Sequence, residues 1–226
     1  MIILNKNKEF FKNAPKDFTL TAHTGCMGTA ENSLESIKAG VQNGASVVEF
    51  DLRFTSDGEP VLSHDEPVGG EVTLDKAFDY ASQFENIKIN VDVKTCDAIC
   101  KVYPLAQKYG VEEKIFYTGV HEGFVDSVRK DSPEVPYYLN FKVKRWKKYN
   151  EKYILSIVEK VKSSGAVGIN FKYTGASEKL VKIFHEHGLL VSIWTVDKEY
   201  DMYKILSFAP DNITTRYPDK LSKIIG

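Results

Sequence analysis

The chain has 226 residues, a formal net charge of −1 and three cysteines. The length suits a single domain of the α/β-barrel kind, which runs to roughly 200–250 residues, and the near-neutral charge argues against a dedicated nucleic-acid binder. No stretch approaches the ~20 apolar residues of a membrane span. Met1-Ile2-Ile3-Leu4 is too short for a signal-peptide core, and Cys26, Cys96 and Cys100 suit a reducing compartment better than a disulfide framework. The expected setting is the cytoplasm.

Strand-like and helix-like segments alternate from Phe18 onward. Phe18–His23 reads as a strand. Asn32–Asn43 reads as a helix, with Leu34, Ile37 and Val41 on one face. Ser46–Phe54 is a strand, and Pro60–Ser63 extends it after a Ser56-Asp57-Gly58 turn. Leu74–Phe84 is helical, with Thr73 placed to cap it. Then come strand Lys88–Val93, helix Asp97–Tyr109, strand Ile115–Tyr117, helix His121–Lys130 and strand Val135–Phe141. Helix Glu151–Ser163 and strand Val167–Phe171 follow. Helix Ser177–His187 ends before Gly188, a residue suited to a left-handed C′ position. Strand Leu189–Thr195, helix Lys198–Phe208, strand Asn212–Thr214 and helix Pro218–Ile225 complete the chain. Eight successive βα units imply a parallel sheet and an α/β fold of the (β/α)8 TIM-barrel type, residues 1–226 forming one domain. An open doubly wound sheet is the alternative, weakened by the lack of a Gly-rich loop after the first strand.

One strand carries the chemistry. In Val47-Val48-Glu49-Phe50-Asp51-Leu52-Arg53-Phe54, alternation puts Val48, Phe50 and Leu52 on one face and Glu49, Asp51 and Arg53 on the other. Adjacent carboxylates on a buried strand need a counter-charge. In Lys88–Lys94 the residues Asn90, Asp92 and Lys94 share a face in the same way. In a barrel, Glu49, Asp51 and Asp92 converge as three oxygen ligands, a set that suits Mg²⁺ or Ca²⁺. A salt-bridge network with Lys94 and Arg53 balancing the acids is the competing explanation. His23 and His64 flank the carboxylate strand, and two imidazoles beside a cation can serve as general acid and base near neutrality. Asn140, Lys142, Asn170, Lys172, Ser192 and Trp194 alternate with apolar residues on later strands. The basic run Lys142–Tyr149, with two aromatics, is either an anionic-lipid contact or a solvated loop.

These residues carry a resemblance. Ala22-His23-Thr24-Gly25, Ala30-Glu31-Asn32-Ser33-Leu34, Val48-Glu49-Phe50-Asp51, Thr55–Asp65, Asn90-Val91-Asp92-Val93-Lys94, Trp194-Thr195-Val196-Asp197 and Asn212–Pro218 occur in the order of the glycerophosphodiester phosphodiesterases. The chain therefore resembles that family, part of the phosphoinositide-phospholipase-C-like superfamily of (β/α)8 barrels. The resemblance implies a divalent metal held by Glu49, Asp51 and Asp92, and catalysis by His23 and His64. It also implies substrate contacts from Lys94, Thr24 and Trp194, with glycerol 3-phosphate and an alcohol as products. Three departures stand out. Thr24 replaces an arginine that contacts phosphate in the family, so Lys142, Lys172 or Arg216 must compensate. Asp92 replaces a glutamate. Only a short stretch joins His64 to Asp92, so the family's insertion after the second strand is short or absent. Two alternatives stay open: a lipid phosphodiesterase or lyase giving a cyclic phosphate, and a non-catalytic phosphoester-binding barrel. The expected partner is a small phosphodiester and not nucleic acid, with a weak anionic-lipid contact and the oligomeric state left open.

Overall fold

The computed structural model describes residues 17–226; Met1–Leu4 lie outside the described residues. Nine strands form the sheet: β1 Thr19–Ala22, β2 Val47–Phe54, β3 Pro60–Leu62, β4 Lys88–Val93, β5 Ile115–Thr118, β6 Tyr138–Asn140, β7 Gly168–Lys172, β8 Leu190–Trp194 and β9 Asn212–Thr215. Eight of them run in the order β5-β4-β2-β1-β9-β8-β7-β6, and β3 folds back antiparallel on β2. Tyr117 bridges in parallel to Tyr137, and the Asn140 N–H donates to Val120 O at 2.7 Å, so β5 and β6 meet and close the barrel. Among the described residues eight α-helices sit outside: α1 Leu34–Gln42, α2 Leu74–Ser82, α3 Val102–Lys108, α4 Val125–Asp131, α5 Glu151–Ser164, α6 Glu178–Glu186, α7 Glu199–Leu206 and α8 Pro218–Ile225. The expected (β/α)8 barrel is the observed one.

Local chemistry sets the helix starts. The side chains of Ser33, Thr73, Asn150 and Ser177 each accept an N–H three residues ahead, satisfying donors that the first turn leaves free. Gly188 takes φ +71° just past α6, the left-handed geometry anticipated there. Helix α3 begins later than expected, because residues Ile99–Lys101 form a 3₁₀ turn. Strand β6 is shorter than expected, confined to Tyr138–Asn140.

The core lies between sheet and helices. Val48, Phe50 and Leu52 are at most 1% exposed, and the Phe50 ring meets Phe78 of α2 at 6.3 Å between centroids. The barrel interior is unusual in being polar where barrels of this kind carry layers of branched aliphatics. Its groups pair largely with one another, as buried polar groups must, while Asn170 Oδ1 and Trp194 Nε1 are left without a partner. Thr21 donates to Asn212 Oδ1 at 2.6 Å, Asn212 donates to Ser192 Oγ at 2.9 Å, and Thr118 Oγ1 lies 2.9 Å from Asn90 Oδ1. This hydrogen-bonded floor supports a cavity at the C-terminal ends of the strands.

Candidate active site

Strands β2 and β4 pair in a register that sets Asp51 directly beside Asp92 and Glu49 beside Asn90. One carboxylate oxygen from each of Glu49, Asp51 and Asp92 lies within 4.8 Å of the others. Like charges at that range repel by roughly 3–4 kcal/mol at an effective dielectric near 20. Neighbouring groups are arranged to oppose this. The Thr24 N–H donates to Glu49 Oε2 at 2.7 Å, and the Thr118 hydroxyl donates to Asp92 Oδ1 at 2.6 Å. Asn32 holds Asp51 from two sides: its Nδ2 donates to Asp51 Oδ2, and its Oδ1 accepts the Asp51 N–H, both at 2.9 Å. Asn32 does so at φ +56°, a left-handed conformation that asparagine tolerates.

The Lys94 ammonium sits 2.8 Å from Asp51 Oδ1 and 2.5 Å from Asp92 Oδ2. Burial alone would lower its pKa, but the two carboxylates overcome that and raise it. Glu49 has no such partner. Burial pushes its carboxyl up to about 7; the His23 ring opposes the shift, and Asp51 and Asp92 add to it. Three carboxylates, two of them buried and two of them already drawing one cation between them, form an all-oxygen, anionic donor set. That chemistry fits a hard divalent cation such as Mg²⁺ or Ca²⁺.

His23 follows β1. Its Nδ1 lies 2.8 Å from Thr24 O, a group that can only accept, so Nδ1 carries the proton and Nε2 is the other working atom. Glu49 Oε2 is 3.8 Å from Nδ1. Burial lowers the His23 pKa, yet the Glu49 carboxylate and the Thr24 carbonyl outweigh it, and the net shift is upward. His64 follows β3, with Nδ1 2.9 Å from Asp65 Oδ1 and a side chain 62% exposed. The loop is tied down by Arg53, whose Nε donates to His64 O at 2.9 Å and whose Nη1 lies 3.2 Å from Glu66. Both imidazoles and all three acids line one cavity of about 470 Å³.

Other expected residues divide. Lys94 and Trp194 line this cavity, as does Arg216. Thr24, Lys142 and Lys172 are not among its lining residues. Thr24 is 1% exposed, and its hydroxyl accepts the Asn32 N–H at 2.5 Å, so the side chain secures a loop instead of facing a ligand. Lys142 lies past the end of β6 and Lys172 ends β7 with its side chain in solvent. Of the three candidates to replace the missing arginine, Arg216 is the one at the cavity. Its Nη1 donates to Asp197 Oδ2 at 2.9 Å, which holds it beside the β1 end. Arg53 joins neither the acid cluster nor Lys94; its guanidinium serves the His64 loop. Asn32 and Thr118 were not anticipated. Thr118 extends the alternation of the fifth strand by one residue, a signal present in the sequence, whereas the role of Asn32 depends on a turn that no pattern announces.

The arrangement defines a class: a (β/α)8-barrel phosphodiesterase with a carboxylate–imidazole centre at the strand ends. The glycerophosphoryl diester phosphodiesterase family model matches residues 13–90 and 85–220, and the chain belongs to that family. A glycerophosphodiester phosphodiesterase of Bacillus subtilis is 23% identical, over 93% of this chain and 87% of that protein. Among solved structures, a glycerophosphoryl diester phosphodiesterase from Silicibacter pomeroyi superposes with TM-score 0.79 at 18% identity, covering 97% of this chain and 96% of that one. An Oleispira antarctica phosphodiesterase in complex with the product sn-glycerol-3-phosphate superposes with TM-score 0.76 at 18% identity, covering 96% and 98%.

Proposed function

We propose that the protein hydrolyses a glycerophosphodiester to an alcohol and glycerol 3-phosphate, in a metal-dependent reaction in which His23 and His64 exchange the protons. The observation that carries this reading is the convergence of Glu49, Asp51, Asp92, His23 and His64 on one cavity. Glu49, Asp51 and Asp92 would hold the divalent cation, which supplies charge to offset the phosphoryl oxygens. Lys94 and Arg216 add cationic donors on the same cavity, and Arg216 takes over the charge that Thr24 lacks. His23, kept protonated by Glu49, gives its Nε2 proton to the leaving alkoxide as the P–O bond breaks. His64, open to solvent, accepts the proton of the attacking water. Glycerol 3-phosphate retains the new P–O bond, and the second product leaves as the neutral alcohol. Asp65 Oδ1, 2.9 Å from His64 Nδ1, orients the ring so that Nε2 is the atom that takes the proton. Three free cysteines, Cys26, Cys96 and Cys100, support placing the chain in the cytoplasm. Among the described residues no helix is long and apolar enough to cross a membrane.

The test is turnover of glycerophosphocholine and glycerophosphoethanolamine with Mg²⁺, with Ca²⁺ and with chelator. Release of glycerol 3-phosphate that chelator abolishes supports the reading. Retained ligand binding with no turnover under either metal would leave a non-catalytic barrel instead. A cyclic phosphate product would show that a glycerol hydroxyl, not water, attacks.

A further inference from the structure

The rim of the barrel mouth is electrically divided. The loop from β6 to α5 spans residues 141–150 and holds Lys142, Lys144, Arg145, Lys147 and Lys148 without a single acid. Lys172 at the end of β7 and Lys198 after β8 add to it, while the acids on this side, Asp197 and Glu122, are paired with Arg216 and Lys160. Across the mouth, the loops after β1, β3 and β4 carry Glu31, Asp65, Glu66, Glu71 and Asp97, and their cations are engaged, Lys94 by Asp51 and Asp92 and Lys101 by the Gly58 carbonyl. A net charge of −1 conceals this separation.

The cationic half also displays aromatics. Trp146 is 77% exposed and Tyr149 is 64% exposed. Single exposed apolar residues need no explanation. Two large aromatics interleaved with five cations on one loop are a different pattern, because tryptophan and tyrosine favour the boundary between headgroups and acyl chains. Clustered Lys and Arg beside them are drawn to anionic lipid, each contributing about 1 kcal/mol near the surface. A polynucleotide lying across the mouth would meet the acidic half as well. A bilayer can meet the basic half while the acidic half stays in water.

We propose that the β6–α5 loop, with the neighbouring β7 and β8 loops, is a docking surface for an anionic phospholipid bilayer. Docking there brings the catalytic cavity up to the membrane surface, because loop and cavity share the C-terminal end of the barrel. The surface acts through side chains outside the carboxylate–imidazole centre, so its test does not depend on hydrolysis.

The protein is mixed with vesicles of phosphatidylcholine alone or of phosphatidylcholine with phosphatidylglycerol, and binding is read by co-sedimentation. Trp146 emission, isolated in a Trp194→Phe background, gives a second readout. Binding and a blue shift are expected with the anionic vesicles only, weakening as salt is added. At about fivefold per charge, the K144Q/R145Q/K147Q variant should bind roughly a hundredfold more weakly. Trp146→Ser should bind more weakly and K38Q/K162Q/K182Q, altered on helices away from the rim, should bind as the parent does. Unchanged melting temperatures establish that the variants are folded. The proposal is overturned by equal binding to neutral vesicles, by no binding at low salt, by an unaffected triple rim variant, or by tighter binding to single-stranded DNA than to vesicles.

Discussion

Replacing Glu49 by glutamine should stabilise the metal-free protein at high pH and not at low pH. Glu49 is 7% exposed and its carboxyl is pushed from 4.5 up to about 7, with burial the first cause. The folded state therefore holds this proton more tightly than the unfolded chain does. Stability linked to Glu49 is complete below about pH 4.5 and is lost as pH rises through about 7. At 1.36 kcal/mol per pH unit, the full loss is roughly 3 kcal/mol. Glutamine keeps the shape and can still accept the Thr24 N–H, but carries no charge to bury. His23 works in the same direction in the parent, since its pKa is raised and its stabilisation also fades as pH rises. Between pH 5 and pH 8 the stabilisation linked to the Glu49 proton fades, so the difference between parent and variant widens. The assay is thermal unfolding in chelator at pH 5 and pH 8. For a chain of this size 1 kcal/mol moves the midpoint by about 2–4 °C, so Glu49→Gln should melt roughly 6–12 °C above the parent at pH 8 and close to it at pH 5. Mg²⁺ or Ca²⁺ should then raise the parent midpoint far more than the variant's. An E49Q midpoint equal to or below the parent's at pH 8 would refute the account of a buried carboxylate kept in place for a cation.

Four further substitutions probe the rest of the site. His23→Ala and His64→Ala should each lower kcat by about 10²–10⁴ with glycerophosphocholine, as expected of proton-transfer residues, and an unchanged rate in either would remove it from the mechanism. Lys94→Met strips the cation from the opposed Asp51 and Asp92, so the metal-free protein should lose about 3 kcal/mol in urea unfolding; an unchanged urea midpoint would contradict the charge argument. Gly119→Ala should cost roughly 2–4 kcal/mol, because Gly119 has φ +76° and an added Cβ would overlap the Val93 backbone next to Lys94; a melting temperature within a degree of the parent's would show that the β4–β5 junction can yield.

Much of this protein is local and therefore legible in the chain. The alternation of Val48, Phe50 and Leu52 with Glu49 and Asp51 assigns faces, since a strand repeats every two residues whatever it pairs with. Thr73 and Gly188 mark helix ends by their own side-chain and backbone chemistry. Repeated βα units imply the barrel, and the acids and histidines at strand ends imply where its chemistry lies. What the chain alone leaves open is register and reach. Asp51 stands beside Asp92 because β2 and β4 align at that offset, and a slip of one residue would turn every inward side chain outward. That offset is set by barrel closure and by the helices packed outside, which are contacts between segments far apart in sequence. The same dependence decides that Lys94 bridges two carboxylates and Glu49 has none. It also sends Arg53 to the His64 loop, puts Arg216 at the cavity in place of Lys142 or Lys172, and turns the Thr24 hydroxyl toward the Asn32 N–H. A sequence names the charges; only the closed barrel determines which of them face one another.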